Sequence, residues 1–297
     1  MDSVSAHVHH HGAGLATVSI GDAALAAPFI AAVIVYTCAA LGMQRGRGPW
    51  PGVRIAAWTA GVAAVWLGTV GPLAAAAHDS FIAHMAAHLL VGMLAPLLLV
   101  LAAPITLALR SFSIEPARRV SAVLRSPIAR VLTHPIVAAV LSLGGLGLLY
   151  LTPVFEVVHR NPLLHIVVMV HVLLAGVLFT ASVIAVDPNP HRSPFRLRVG
   201  VLVAALAVHA IIAKALYANP PAGPPVADVE GGAQLMFFGG DLVDAALLVL
   251  LGCEWFRATG RRDGVGRGAR SAASTTAPSD APEAAPADAA APAGVRS

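Results

Sequence analysis

Long apolar segments alternate with short polar loops along this chain. A helix needs about 20 apolar residues to cross a bilayer. Seven segments meet this requirement, and they run roughly over residues 23–43, 53–75, 81–109, 134–152, 163–186, 197–218 and 233–256. The pattern therefore predicts an all-α fold, a polytopic bundle of about seven transmembrane helices.

The third of these segments is the longest and contains two prolines, Pro96 and Pro104. A proline inside a helix removes one backbone hydrogen bond and commonly kinks the helix. We therefore expect a kink near Pro96, and we expect Pro104 to mark the end of the helix.

The composition agrees with a membrane location. The 297 residues are 57% hydrophobic and only 11% charged, and the mean hydropathy is +0.78. Soluble domains carry about a quarter charged residues, so much of this surface is expected to face lipid. The net charge of +4 comes almost entirely from arginines in short loops, a distribution that does not indicate nucleic-acid binding.

Arginines fall in every second loop. They cluster after the first, third, fifth and seventh segments, whereas the alternate loops contain only Arg160. Because cytoplasmic loops of membrane proteins are enriched in basic residues, the N-terminus is predicted to lie outside and the C-terminus in the cytoplasm. An odd number of crossings fits this alternation.

Two terminal parts flank the predicted transmembrane domain, which covers residues 23–257. Residues 1–22 form an outer arm with the tract His7-Val8-His9-His10-His11, a weak metal-binding signal. Residues 258–297 are rich in alanine and proline and cannot bury enough apolar surface to fold. We expect them to form a disordered cytoplasmic tail.

Ionisable residues lie inside several of the predicted spans. A charged side chain at the bilayer centre costs at least about 2.5–3.5 kcal/mol, so such residues usually face the bundle interior and serve a function. On the predicted orientation they all occupy the outer halves of four helices. They are His84, His88, His165, His171, His209, Lys214, Asp241 and Asp244.

The spacing of these residues along each helix determines which of them can point in the same direction. His84 and His88 are four residues apart, which places both imidazoles on one helix face. His165 and His171 are separated by about 240° around their helix at 3.6 residues per turn. They cannot both point at one centre, so not every polar group can belong to a single site.

The histidines indicate a metal site. Imidazole suits copper and zinc, and nearby carboxylates can orient the imidazoles or bind directly. For any single intramembrane histidine, an interhelical hydrogen bond is the alternative interpretation. Methionines could offer thioethers to cuprous ion, although methionine on an apolar helix more often packs. The candidate ligands are His84, His88, His165, His171 and His209, with His78, Asp241 and Asp244 in auxiliary positions and Met85, Met93 and Met169 as possible thioether donors.

Three sequence blocks stand out in the predicted transmembrane domain. They are HDSFIAHMAAHLL at 78–90 with the Ala-Pro pairs at 95–96 and 103–104, NPLLH at 161–165 with His171, DPNP at 187–190 and His209, and QLM at 234–236 with Asp241 and Asp244. Together these blocks resemble the CtaG family of integral-membrane bacterial cytochrome c oxidase assembly proteins, and the resemblance covers roughly residues 25–257. The family pattern has an Asp-Gln-Gln-like start before the last span, where this chain reads Gly232-Ala233-Gln234, with Asp228 and Glu230 just upstream.

This resemblance implies a multi-pass protein of the bacterial plasma membrane that assists maturation of a haem–copper oxidase by handling copper. The expected partners are cytochrome c oxidase subunits and a copper donor protein, besides the lipid bilayer. The resemblance also directs attention to His84, His88, His165, His171 and His209.

Three functions compete at this point. The leading hypothesis is a non-enzymatic assembly factor that binds copper near the outer face and delivers it to the oxidase. A copper transporter would need polar groups that continue to the inner side. A membrane cytochrome would grip haem with histidines from different helices, for which His88, His171 and His209 have suitable depth. The chain shows no nucleophile–base pair or phosphate loop, so no enzyme is predicted.

Overall fold

The computed structural model describes residues 20–44, 49–221 and 223–275, and all regular secondary structure in these ranges is helical. This confirms the predicted all-α fold. The chain divides into two units, residues 1–252 and residues 253–297. The helices of the first unit are α1 (Ile20–Gln44), α2 (Gly52–Thr69), α3 (Pro72–Ala76), α4 (Phe81–Leu89), α5 (Ala95–Leu101), α6 (Pro104–Ser111), α7 (Ile114–Leu124), α8 (Pro127–Leu132), α9 (Pro135–Ala139), α10 (Gly145–Tyr150), α11 (Val154–Arg160), α12 (Pro162–Val183), α13 (Phe195–Ala218) and α14 (Val226–Thr275), which continues into the second unit.

Six helical segments in the described part of the chain are long and apolar enough to cross a membrane. They confirm a polytopic, multi-pass membrane protein. They are Ala24–Gly42, Gly52–Ala76, Phe81–Ser111, Pro162–Val183, Phe195–Ala218 and Val226–Thr259.

The span predicted over residues 134–152 corresponds to a shorter apolar helix, Pro135–Tyr150. At 1.5 Å per residue this helix is about 24 Å long, whereas the hydrocarbon core of a bilayer is about 30 Å thick. Six spans are therefore of full length. The orientation with the N-terminus outside stays a prediction, because it depends on an odd number of crossings.

Helix α4 continues into α5 through a π-helical turn, Leu90–Leu94. Pro96 lies in the first turn of α5 and cannot donate a backbone hydrogen bond. The wider turn just before it is where the chain accommodates this loss. The kink itself stays a prediction. Helix α5 ends at Leu101 and Pro104 opens α6, as the sequence predicts.

Helix α12 approaches this π-helical turn at Gly176. A Cβ atom at Gly176 would overlap the backbone carbonyl oxygen of Gly92 and lie 2.7 Å from Cγ of Pro96. Only glycine permits this contact between backbones. The close approach fixes α12 beside α4, and both helices carry candidate ligands.

The DPNP loop, residues 187–190, packs against the start of α6. The carboxylate of Asp187 accepts hydrogen bonds from the backbone N–H of Ile105 at 3.2 Å and of Thr106 at 2.7 Å. It also accepts one from the Thr106 hydroxyl at 2.6 Å. Asp187 therefore satisfies free N–H groups in the first turn of α6, which is a structural role.

The second unit begins at Cys253, and its described part is the continuation of α14 to Thr275. Residues 276–297 and residues 1–19, which include the histidine tract, lie outside the described residues. The outer arm therefore stays a prediction, and so does a disordered tail beyond Thr275. Residues 258–275, which the sequence predicted as part of that tail, are helical.

Candidate functional site

Helix α4 carries two buried histidines, His84 and His88, one turn apart. Its N-terminus is fixed by Ser80, whose hydroxyl accepts a hydrogen bond from the backbone N–H of Ala83 at 3.3 Å. Although both imidazoles lie on one face of the helix, they line two different cavities. The candidate site is therefore divided at this helix.

The first cavity, here called the peripheral pocket, is defined by His78, His84, His165 and Met169. Its volume is about 80 Å³. The exposed His78 lies in the turn before α4, and the half-buried His165 lies in the first turns of α12. Their ring centres are 6.3 Å apart. His78 and His84 also line an open cleft of about 600 Å³, so the peripheral pocket can be reached from outside the bundle.

Tyr150 contacts both histidines of α4. Its hydroxyl is 3.0 Å from Nε2 of His84, within hydrogen-bonding distance. Its ring centre is 6.0 Å from that of His84 and 5.8 Å from that of His88, and both contacts are edge-on. The phenol of this residue therefore packs against both imidazoles that share a helix face.

The second cavity, here called the central pocket, is defined by His88, Met93, His209 and Asp244. Its volume is about 50 Å³, and the hydroxyl side chains of Ser142 and Thr180 and otherwise apolar residues complete its wall. The exposed fractions are 5% for His88 and 4% each for His209 and Asp244. These three titratable side chains come from α4, α13 and α14.

Two imidazole nitrogens at the central pocket are buried without a hydrogen-bond partner among the described residues. They are Nδ1 of His88 and Nε2 of His209. A buried polar atom left unpaired costs about 1–3 kcal/mol. Native proteins keep few such atoms, and a water, an ion or a strained functional group usually explains them.

A glycine makes room for His209. A Cβ atom at Gly240 of α14 would overlap the imidazole of His209, lying only 2.8 Å from Nδ1. The absence of a side chain at this position lets the imidazole pass beside α14. Sequence reasoning did not identify Gly240, because the need for glycine arises from a contact between helices.

His171 lies outside both pockets. It is exposed, and its Nε2 is 3.2 Å from the carbonyl oxygen of Leu141, to which it donates in the matching tautomer. Leu141 belongs to a second π-helical turn, Val140–Gly144. The interhelical hydrogen bond that the sequence leaves open as an alternative therefore describes His171.

The two aspartates of α14 also differ in position. Asp244 is buried at the central pocket, whereas Asp241 is exposed. Lys214 is exposed too, and its Nζ lies 5.3 Å from the ring centre of Phe237. The structure thus brings His78, His84 and His165 to one pocket and His88, His209 and Asp244 to another, and it places His171 and Asp241 in neither.

The donor atoms do not form a closed metal site as they stand. Within the described ranges, no three side chains of His, Cys, Asp or Glu are close enough to hold one ion. The donor types nevertheless fit cuprous ion, since imidazole suits copper and thioether selects its reduced form. Each pocket combines imidazoles with one methionine.

Residues 34–258 match the family described as cytochrome c oxidase caa3 assembly factor (Caa3_CtaG). The chain belongs to this family. The match includes every residue that defines the two pockets, and it confirms the resemblance seen in the sequence blocks.

Three curated mycobacterial proteins, all described as uncharacterized, are similar to this member of the family. The protein of Mycobacterium leprae (strain TN) is 29% identical over 202 residues, which cover 66% of this chain and 31% of the relative. The proteins of Mycobacterium bovis and Mycobacterium tuberculosis are each 33% identical with the same coverage. The chain thus spans about a third of the length of these relatives. No solved structure matches the chain.

Asp228 is a further residue to which the sequence assigned no role. Its carboxylate accepts hydrogen bonds from the backbone N–H of Phe81 at 2.6 Å and of Ile82 at 3.4 Å. It also accepts one from the Ser80 hydroxyl at 3.3 Å. Asp228 lies in the first turn of α14 and therefore ties this helix to the N-terminus of α4, where a negative charge is stabilising.

Proposed function

We propose that this protein assists assembly of cytochrome c oxidase by holding a cuprous ion in the central pocket and releasing it to an oxidase subunit. The membership in the family of caa3 oxidase assembly factors supports the oxidase as the destination. Copper is the cargo in this proposal and not a resident cofactor. No chemical reaction on the ion is required.

The observation that carries the proposal is the pair of unpartnered nitrogens at the central pocket, Nδ1 of His88 and Nε2 of His209. An ion bound by both would compensate the cost of burying them. The Met93 thioether and the Asp244 carboxylate line the same cavity. Rotation of these side chains toward the cavity would be needed to give cuprous ion two to four donors.

The surroundings of the central pocket support holding over transport. Leu247 lines the pocket and also belongs to a buried apolar cluster on the side away from His78. Hydrocarbon side chains offer an ion no ligand, so this cluster supplies no path along which copper could cross the rest of the bundle. Its other buried members are Leu97, Val183, Ile184, Leu202 and Leu251.

The size of the central pocket disfavours haem. A cavity of about 50 Å³ accommodates an ion or a few water molecules. It does not accommodate a porphyrin, which would have to displace several helices. The histidines suited by depth to grip haem also separate, because His171 lies outside the pocket.

Metal analysis of the purified protein tests the proposal. The full chain carries a histidine-free affinity tag, is loaded with cuprous ion and is freed of excess metal. The double variant His88→Ala, His209→Ala is expected to retain one copper per chain less than wild type. His171→Ala is the matched control and is expected to retain all of it. Equal copper in the double variant and wild type would overturn the proposal.

Two further assays connect the ion to function. Cells that lack the protein should regain oxidase activity with the wild-type chain and with His171→Ala, but not with the double variant. Sealed vesicles that contain the protein should take up copper no faster than empty vesicles. Faster uptake would favour the transporter instead.

A further inference from the structure

The peripheral pocket has no place in the function proposed above, yet it gathers three imidazoles and a thioether. We infer that it is a second cuprous site, which acquires the ion first and passes it to the central pocket. This inference rests on the proposed function for the passing step only. The binding step stands on the residues of the peripheral pocket.

The spacing of His78 and His165 suits one ion between them. Nitrogen ligands lie about 2.0 Å from a metal such as zinc, so two imidazoles that bind one ion in line have ring centres roughly 6 Å apart. The ring centres here are 6.3 Å apart. His84 and Met169 face the same cavity of about 80 Å³ and can complete the set. Soft and imidazole donors of this kind favour cuprous ion over the harder divalent cations.

The difference in solvent exposure between the two pockets sets the order in which they take up ions. His78 is exposed, and the open cleft of about 600 Å³ reaches it together with His84. Asp79, Glu156 and Arg160 line the same cleft. Arg160 is paired with Glu156 at 3.7 Å, so the Asp79 carboxylate supplies the remaining negative charge that would attract a cation. The central pocket has only a small cavity, and its titratable donors are almost fully buried. An ion that arrives from water therefore meets the peripheral donors before His88.

Helix α4 joins the two pockets. His84 lines the first and His88 lines the second, and four residues of helix correspond to about 6 Å along the axis. Tyr150 contacts both imidazoles and is hydrogen-bonded to His84. The transfer consists of ligand exchange alone: His84 leaves the Tyr150 hydroxyl to bind the ion, and the ion then exchanges peripheral donors for His88 and His209. No electron or covalent bond is transferred.

Counting bound ions tests the inference directly. The full chain is used with His7, His9, His10 and His11 replaced by Asn, so that the N-terminal tract contributes no binding. Silver(I) serves as a redox-stable probe, and cuprous ion is measured in parallel by competition with a chromophoric chelator. This reference protein is expected to bind two ions per chain.

Paired variants separate the two sites. His78→Ala with His165→Ala is expected to lower the count from two to one, and so is His88→Ala with His209→Ala. His171→Ala, the control outside both pockets, is expected to keep two. Thermal unfolding in detergent checks that each variant is folded, and His78→Gln with His165→Gln repeats the test with side chains of similar size.

The failures of the two proposals are distinguishable. A count of two in the peripheral variants overturns the peripheral site. A reference count of one that is lost only in the central variants also overturns it and leaves the proposed function standing. A count of one that is lost only in the peripheral variants supports the peripheral site and overturns the central one.

A kinetic measurement tests the order in which the two pockets fill. In stopped-flow loading with cuprous ion, the peripheral variants should fill the central pocket at least 10-fold more slowly than the reference protein while the affinity of that pocket stays the same. Loading at an unchanged rate would overturn the acquiring role.

Discussion

Gly240→Ala tests whether His209 is a ligand without removing any candidate donor. A methyl group there would overlap the imidazole of His209. Carbon atoms pack best at 3.5–4.0 Å, so the ring must move by more than about 1 Å. Overpacking of this kind costs about 1–3 kcal/mol, whereas alanine gains about 1 kcal/mol over glycine within a helix. The expected net loss of stability is about 0–2 kcal/mol, which leaves the protein folded.

The effect on copper should be much larger than the effect on folding. Metal–ligand distances are held to within about 0.2 Å, so a ring displaced by roughly 1 Å no longer binds. Changes that misplace a ligand typically weaken metal affinity by about 10–100-fold. We therefore expect Gly240→Ala to bind cuprous ion in the central pocket at least about 10-fold more weakly than wild type.

Gly252→Ala is the matched control, because it lies on the same helix and a Cβ there has no atom within 4 Å. It gains the same helix propensity without touching a ligand. Competition with a chromophoric chelator gives the cuprous affinity, and thermal unfolding in detergent gives the stability. If Gly240→Ala binds copper as tightly as Gly252→Ala, His209 is not a ligand and the site is wrong.

Three further substitutions test the contacts that hold the histidine-bearing helices in place. Tyr150→Phe removes the hydroxyl beside His84 and should lower stability by about 1 kcal/mol in thermal unfolding. Asp228→Ala removes the cap of α4 and should cost about 1–2 kcal/mol, with faster hydrogen exchange in the first turn of that helix as its specific signature. Gly176→Ala should cost about 3 kcal/mol or more, because backbone atoms oppose the added methyl and cannot move aside, whereas Gly200→Ala should be tolerated in the same unfolding assay.

Hydropathy predicted the helices well because the length of an apolar segment is a property of the local sequence. It was least informative for residues 134–152, where the pattern covers 19 positions and the helix covers 16. This segment contains a π-helical turn and Gly144, Gly145 and Gly147. Apolar composition does not reveal where such a helix begins or ends.

Direction around single helices was also predictable. The angular separation of His165 and His171 places them apart, and the structure puts the first at the peripheral pocket and the second against a backbone carbonyl. The position of His84 and His88 on one face of their helix was predicted correctly too. The division between them was not predictable, since it depends on which residues of other helices pack around each imidazole, and no local pattern shows this packing.

The same limit explains why Asp228 and Gly240 were missed. Asp228 caps a helix 147 residues earlier in the chain, and Gly240 is needed only because His209 of α13 crosses that point. Both roles arise from contacts between helices. In the sequence alone, an acidic residue near the start of a span or a glycine within a span can have many roles. The role becomes clear only when the residue that it contacts on another helix is known.

An incomplete ligand set is what a copper carrier requires. Structural metal sites close four ligands around the ion and hold it permanently. A protein that must surrender its ion needs fewer ligands, and ligands that an incoming donor can replace one at a time. Both pockets have this character, because within the described residues neither presents three His, Cys, Asp or Glu groups ready for one ion. On the proposed function, the pair of buried nitrogens at the central pocket would supply the attraction, and the open cleft beside His78 and His84 would supply the route by which an oxidase subunit takes up the ion.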